Sequence, residues 1–280
     1  GPGWTPDLVR ERVEAVFHTS LDAKELESTQ VSIATPEKVY TNASSAIADI
    51  FDGAIVMIDG FGGSGGLPHQ LLLALRDSGA KELTIVGNTA GVARVMDMNA
   101  PPGFQAIDQN ILAENGQLKR AVASFPASPR PSQPTAFELA YRRGEVEVES
   151  VPQGTLAERI RAGGHGIAGF YTPTGAGTSV ADGKPTRIIK GREHILERAI
   201  RADFAILRAH RADPHGNLIY RGTSRNFNPV MAPAADVTIV EVDEIVPVGE
   251  LDVNAIATTG THVDRIIKRT SDFFPYEPEL

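Results

Sequence analysis

The stretch Asp59-Gly-Phe-Gly-Gly-Ser-Gly-Gly-Leu-Pro68 is where this sequence concentrates residues able to bring backbone close to a ligand. Gly60, Gly62, Gly63, Gly65 and Gly66 permit tight turns and leave room for a bound group, with Phe61 set among them. A glycine loop that opens a helix presents unpaired N–H groups to an anion. It is equally the tight turn of an α/β domain, and taken alone it supports both readings. Further polar loops follow at Asn88-Thr-Ala-Gly91, Pro152-Gln-Gly-Thr155 and Thr172-Pro-Thr-Gly-Ala-Gly177. His165, His194, His210, His215 and His262 show no metal-ligand spacing, so no metal site is expected. With no cysteine there is no thiolate nucleophile, no disulfide framework and no cysteine-based zinc site.

The elements around these loops define how they would be held. Ile55 to Ile58 is a short apolar run that reads as a buried strand, and Pro68 opens a helix carrying Leu71, Leu72, Leu73 and Leu75. Glu82 to Gly87 is a second buried strand. Strand, loop, helix and strand within about 35 residues form a βαβ crossover, which implies a parallel sheet. Further helices are expected at 43–50, 107–114, 137–143 and 156–161. The last is capped by Thr155, with Glu158 completing a capping box. Strands are expected at 117–124, 145–149, 168–171, 205–207, 218–220 and 237–242, with an edge segment at 187–189. The fold class is therefore α/β, an open, mainly parallel sheet flanked by helices. All four polar loops then fall at carboxyl ends of parallel strands, where such sheets bind ligands.

Upstream, 6–18 and 21–28 have helical spacing and 29–36 is polar. The organisation reads as an N-terminal helical extension at 1–37, a main domain at 38–270 and a tail at 271–280. Gly1-Pro-Gly3 reads as an expression scar. Hydrophobic residues make up 41% of the 280, enough for a sizeable core, and the net charge of −8 argues against attraction to nucleic acid or an anionic membrane. No apolar run approaches the roughly 18 residues of a membrane span, and no signal peptide opens the chain. A cytoplasmic protein is expected.

Longer motifs carry a family resemblance. Val151-Pro-Gln-Gly-Thr-Leu-Ala-Glu-Arg-Ile-Arg-Ala-Gly-Gly164, Phe170-Tyr-Thr-Pro-Thr-Gly-Ala-Gly-Thr178, Asp203-Phe-Ala-Ile-Leu-Arg-Ala-His-Arg-Ala-Asp-Pro-His-Gly-Asn217 and Ser224-Arg-Asn-Phe-Asn-Pro229 resemble the α subunit of family I 3-oxoacid CoA-transferases. The glycine loop resembles that family's Gly-Gly-Phe-x-x-x-Gly-x-Pro signature, and Asn88 to Gly91 its Asn-Asn-Ala-Gly. Among the branches, Ser124-Phe-Pro126 and Arg208 to Asp213 are most similar to 3-oxoadipate CoA-transferase α subunits. The resemblance runs from about Lys38 to Lys268, and this sequence departs from it at three places. Asp59 replaces the first glycine of the signature, with one residue inserted before Gly66. Thr89 replaces the second asparagine. The link from Gly91 to Gln117 is extended.

The resemblance implies a ping-pong transfer. A glutamate on a partner β subunit makes the attack on an acyl-CoA thioester, with coenzyme A as substrate and no cofactor. It implies an α2β2 assembly and an acyl-CoA donor such as succinyl-CoA with a 3-oxo acid acceptor. Gln153 is then the α-subunit glutamine that reaches the thioester. Gly60, Phe61, Gly62, Gly63, Gly65, Gly66, Asn88, Thr89 and Gly154 are the expected substrate and CoA contacts. Ala113-Glu-Asn-Gly116 echoes the β-subunit nucleophile motif, but Gln117-Leu-Lys-Arg120 follows where that motif continues with apolar residues. Glu114 is therefore read as a turn residue. Arg159 and Arg161 are read as solvated or paired, and Arg208, Arg211, Arg221 and Arg225 are given no role. The alternatives are a hydrolase or lyase subunit on the same fold, or a non-catalytic acyl-CoA-binding protein.

Overall fold

The computed structural model describes residues 37–61, 65–96 and 100–278. The helices expected at 6–18 and 21–28 lie outside them. In chain order the strands are β1 (Val39–Tyr40), β2 (Ile55–Ile58), β3 (Leu83–Thr89), β4 (Phe104–Ala106), β5 (Leu118–Phe125), β6 (Glu147–Ser150), β7 (Gly169–Thr172), β8 (Thr186–Ile189), β9 (Arg192–Arg198), β10 (Ala202–Ala212), β11 (Leu218–Ile219), β12 (Ala235–Ile245), β13 (Arg265–Lys268) and β14 (Tyr276–Pro278). The α-helices are α1 (Ala43–Ala46), α2 (His69–Ser78), α3 (Ala93–Met96), α4 (Asn110–Glu114), α5 (Ala136–Arg142), α6 (Gln153–Gly164) and α7 (Asn228–Met231).

The main sheet runs β1-β13-β12-β10-β2-β3-β5-β6, with every neighbour in that path parallel and β11 added antiparallel to β10. From β2 the chain works outward through β3, β5 and β6, then returns to β10 on the other side of β2. That reversal between β2 and β10 is a topological switch point, which opens a crevice beyond their carboxyl ends.

Both faces of the sheet are covered, so the strands are apolar runs rather than alternations. Along β2, Val56 and Ile58 join Leu71, Leu72, Leu75, Ile85 and Phe137 in one core. Met57 points the other way, to Val86, Leu156, Ile160, Leu207 and Val240. β7, β8 and β9 make a separate antiparallel sheet, so the Thr172–Gly177 loop does not sit at the end of a parallel strand as expected. The segment read as a tail contributes β14, which pairs antiparallel with β4. The helix expected to run from Ala43 to Ile50 stops at Ala46, although Asn42 caps it through Ser45 N–H at 2.8 Å. Among the described residues no helix is long and apolar enough to cross a membrane.

Candidate active site

The glycine loop leaves β2 at the switch point and closes on itself. Phe61 N–H donates to the Gly65 carbonyl at 3.2 Å, and Asn226 Nδ2 donates to the same oxygen at 2.8 Å. Gly60 and Gly66 hold φ of 139° and 85°, where a side chain is strained. Space is the second constraint. A Cβ at Gly60 would strike the Leu67 side chain, and one at Gly66 would strike the Asn226 amide and the Ser224 carbonyl. Gly65 has φ 76° but open space around it. Gly62 and Gly63 lie outside the described residues.

Asn88 is the penultimate residue of β3 and is 4% exposed. Just before it, Gly87 passes so close to β2 that a Cβ there would lie 2.6 Å from the Ile58 carbonyl. Gln153 begins α6, and its Nε2 donates to Asn88 Oδ1 at 2.7 Å. The two amides stand in the wall of an apolar cavity of about 410 Å³, together with Phe61, Thr89, Val92 and Phe125. Phe61 is held from behind by an edge-to-face contact with Phe227, centroids 4.8 Å apart. At the rim Met96 and Phe125 are about half exposed. Phe61, Asn88, Thr89 and Gln153 are therefore brought together. Gly60, Gly65, Gly66 and Gly154 are not in the lining of that cavity: Gly65 and Gly66 line a separate pocket with His69 and Arg208, and Gly154 lines another depression with Thr155, Glu158, Phe170, Tyr171 and Thr172.

The capping box is corrected by the position of that helix start. Pro152, at φ −54° and ψ 135°, is the N-cap, so Gln153 and Gly154 lie inside the first turn and Thr155 is buried within it. Glu158 instead pairs with Arg161 at 2.6 Å. Further along, Arg159 ties α6 to the strands: its Nη1 meets Glu149 Oε1 at 2.6 Å and its Nε donates to the Arg198 carbonyl at 2.8 Å. Arg120 meets the other oxygen of Glu149, also at 2.6 Å. Burial acts to raise the Glu149 pKa, but Arg159 and Arg120 hold it below the ordinary carboxylate range.

The N-terminus of α2 does not offer the anion cradle that the loop implied. Glu241, wholly buried on β12, fills it: Oε2 accepts from Gln70 N–H at 2.7 Å and Leu71 N–H at 3.3 Å. Burial pushes the Glu241 pKa up, opposed by Arg208 and Arg269, whose guanidinium nitrogens lie 3.9 and 3.7 Å from Oε1. The chain thus supplies its own anion to this helix. The signal in the sequence is a lone acid inside the apolar run Thr238-Ile-Val-Glu-Val242. Asp59, in sequence no more than a departure from the signature, is wholly buried. Its Oδ2 accepts from Asn228 N–H at 2.8 Å, and burial pushes its pKa up to about 7 against the pull of nearby backbone N–H groups. Glu114 accepts a hydrogen bond from Asn110 Nδ2 at 2.9 Å and does not line the cavity. Its chain continues to Gln117, whose amide is tied to the Leu75 and Ala80 carbonyls before β5 begins.

Fold and site define an α/β protein with an acyl-sized apolar cavity at its strand ends and paired side-chain amides in the wall. The chain belongs to the coenzyme A transferase family, whose pattern matches residues 40–269. It is 44% identical over 230 residues to the A-type subunit of 3-oxoadipate CoA-transferase from Pseudomonas putida, covering 82% of this chain and 93% of that one. It is 45% identical over 230 residues to the A-type subunit of the probable succinyl-CoA:3-ketoacid coenzyme A transferase of Bacillus subtilis (strain 168), covering 82% and 89%. Glutaconate coenzyme A-transferase from Acidaminococcus fermentans shares the fold with a TM-score of 0.67 at 20% identity, over 82% of this chain and 75% of that one.

Proposed function

We propose that this chain is the A-type subunit of a CoA-transferase that moves CoA from an acyl-CoA donor such as succinyl-CoA to a 3-oxo acid. A partner B-type subunit supplies the nucleophilic glutamate. The observation that carries this reading is the Gln153–Asn88 pair at 2.7 Å in the wall of the apolar cavity. An amide nitrogen has two hydrogens. One of those on Gln153 is spent on Asn88, which leaves the other to donate to the carbonyl oxygen of a bound thioester. A preorganised donor of this kind stabilises the charge that develops on a thioester oxygen under attack. Among the described residues that line the cavity none is a carboxylate, which is compatible with a nucleophile supplied by a partner. Both bacterial relatives are A-type subunits, which supports a partner. The half-exposed Met96 and Phe125 at the rim give that partner an apolar edge to cover.

The reaction proceeds in balanced halves. The glutamate carboxylate attacks the acyl-CoA carbonyl, expelling CoA thiolate and leaving a mixed anhydride. The thiolate then attacks the glutamyl carbonyl, releasing the donor acid and forming a glutamyl-CoA thioester. The acceptor acid reverses both steps. Co-expression with the neighbouring gene product, followed by addition of succinyl-CoA and a 3-oxo acid, tests the proposal. Appearance of a new 3-oxoacyl thioester supports it. Hydrolysis alone would favour a hydrolase subunit, and binding without turnover an acyl-CoA-binding protein.

A further inference from the structure

Asp59 stands where the family signature has a glycine, at the switch point between β2 and β10. The hydrogen bond that it accepts from Asn228 N–H at 2.8 Å is one of a set pinning residues 224–228 against the glycine loop. Asn228 Nδ2 donates to the carbonyls of Ser224 and Arg225 at 3.1 and 3.3 Å, and its Oδ1 accepts from Arg208 N–H at 3.0 Å. Asn226 Nδ2 holds the Gly65 carbonyl from the same segment. Between the two asparagines Phe227 sets its ring against Phe61, which lines the cavity with the amides. Asn226 itself sits at φ 41° and ψ −131°, a strained conformation for a residue with a side chain. Such strain persists where the surroundings over-determine the backbone.

We propose that Asp59 is a positioning residue: its carboxylate holds the 224–228 segment and, through the Phe227–Phe61 contact, sets the shape of the cavity that receives the acyl group. This rests on the acyl-transfer reading above. The charged groups around it are few. Tyr220 feels the carboxylate and also faces Arg225; burial raises the phenol pKa, so it stays neutral, with its hydroxyl 2.7 Å from Thr258 Oγ1. Asp59 is thus the member of this cluster that titrates near pH 7. Ionised, it accepts charge-assisted hydrogen bonds, which are stronger than those of its neutral form.

The test uses the full chain co-purified with its partner, in wild-type, Asp59→Asn and Asp59→Ala forms. It reads hydrogen exchange at the amides of 227 and 228 together with KM and kcat at pH 6 and pH 8. The wild-type KM for acyl-CoA is expected to rise about fivefold from pH 8 to pH 6, with kcat changed less. Asp59→Asn should show the higher KM at both pH values, and Asp59→Ala should exchange at least about tenfold faster at 228 with a larger KM again. Unchanged exchange in Asp59→Ala with an active wild type would overturn the positioning role alone. So would a lowered melting temperature with the KM ratio and its pH dependence intact. Faster exchange in Asp59→Ala beside a wild-type assembly that transfers no CoA would overturn the acyl-transfer reading and leave Asp59 with a purely structural hold on the segment, which overturns its role at the acyl cavity.

Discussion

Gln153 Nε2 donates to Asn88 Oδ1 across 65 positions of sequence, joining the first turn of α6 to the end of β3. Neither amide would hold its orientation alone, since Gln153 has three rotatable side-chain bonds and stands at a helix start. Replacing Gln153 by Ala should lower kcat about 10²-fold or more while leaving KM for acyl-CoA within a few-fold, as loss of one oxyanion donor does. Asn88→Ala should cost less, about tenfold, and the double variant should cost little more than Gln153→Ala, because the residues act as a unit. Steady-state kinetics of the three variants checks this.

The glycine loop makes a graded prediction. Gly65→Ala meets strain but no collision and should cost about 1 kcal/mol in stability. Gly66→Ala adds a collision with the Asn226 side chain and the Ser224 carbonyl, and so should cost more and also raise KM. Chemical denaturation of each variant beside its kinetics separates the two effects.

Glu241 should be a stability residue. Glu241→Ala leaves two helix N–H groups unpaired and Arg208 and Arg269 without their shared buried counter-charge, costing about 2–4 kcal/mol. Glu241→Gln keeps an acceptor for Gln70 and should recover part of that loss. Thermal denaturation of both reads it directly.

The buried acid at the switch point gives a pH dependence of definite sign. A carboxyl whose pKa rises from 3.8 to about 7 on folding binds its proton more tightly when folded. Its contribution to stability is full below about pH 4 and is lost as pH rises through 7, by up to about 4 kcal/mol. Asp59→Asn should therefore be more stable than wild type at pH 8, with the advantage vanishing toward pH 4, as urea unfolding at several pH values would show.

The parts of this molecule that lie open in sequence are those where one local signal dominates. β2 and β3 are apolar runs bounded by glycine because parallel strands are buried on both faces. By contrast β9 is hidden: Arg192, Glu193, His194, Glu197 and Arg198 mask a strand of a small antiparallel sheet. The false capping box arises because Thr155 and Glu158 have the right spacing, whereas the rigid φ of Pro152 starts the helix three residues earlier. The loop's anion site fails for a different reason. The N–H groups are where the sequence puts them, but the carboxylate that fills them arrives from Glu241, 171 positions beyond Gln70. Asn88 and Gln153 are legible through family motifs, and their hydrogen bond only through folding. In sequence Asp59 is an irregularity; in the fold it ties the loop to the segment behind it.

Borohydride trapping of the assembled enzyme after incubation with acyl-CoA, followed by mass spectrometry of both subunits, is the most direct test of the division of labour argued above. The reduced glutamyl label is expected only on the partner, and it should form far more slowly with Gln153→Ala. A label on this chain, at Glu114 or any other residue, would contradict that division.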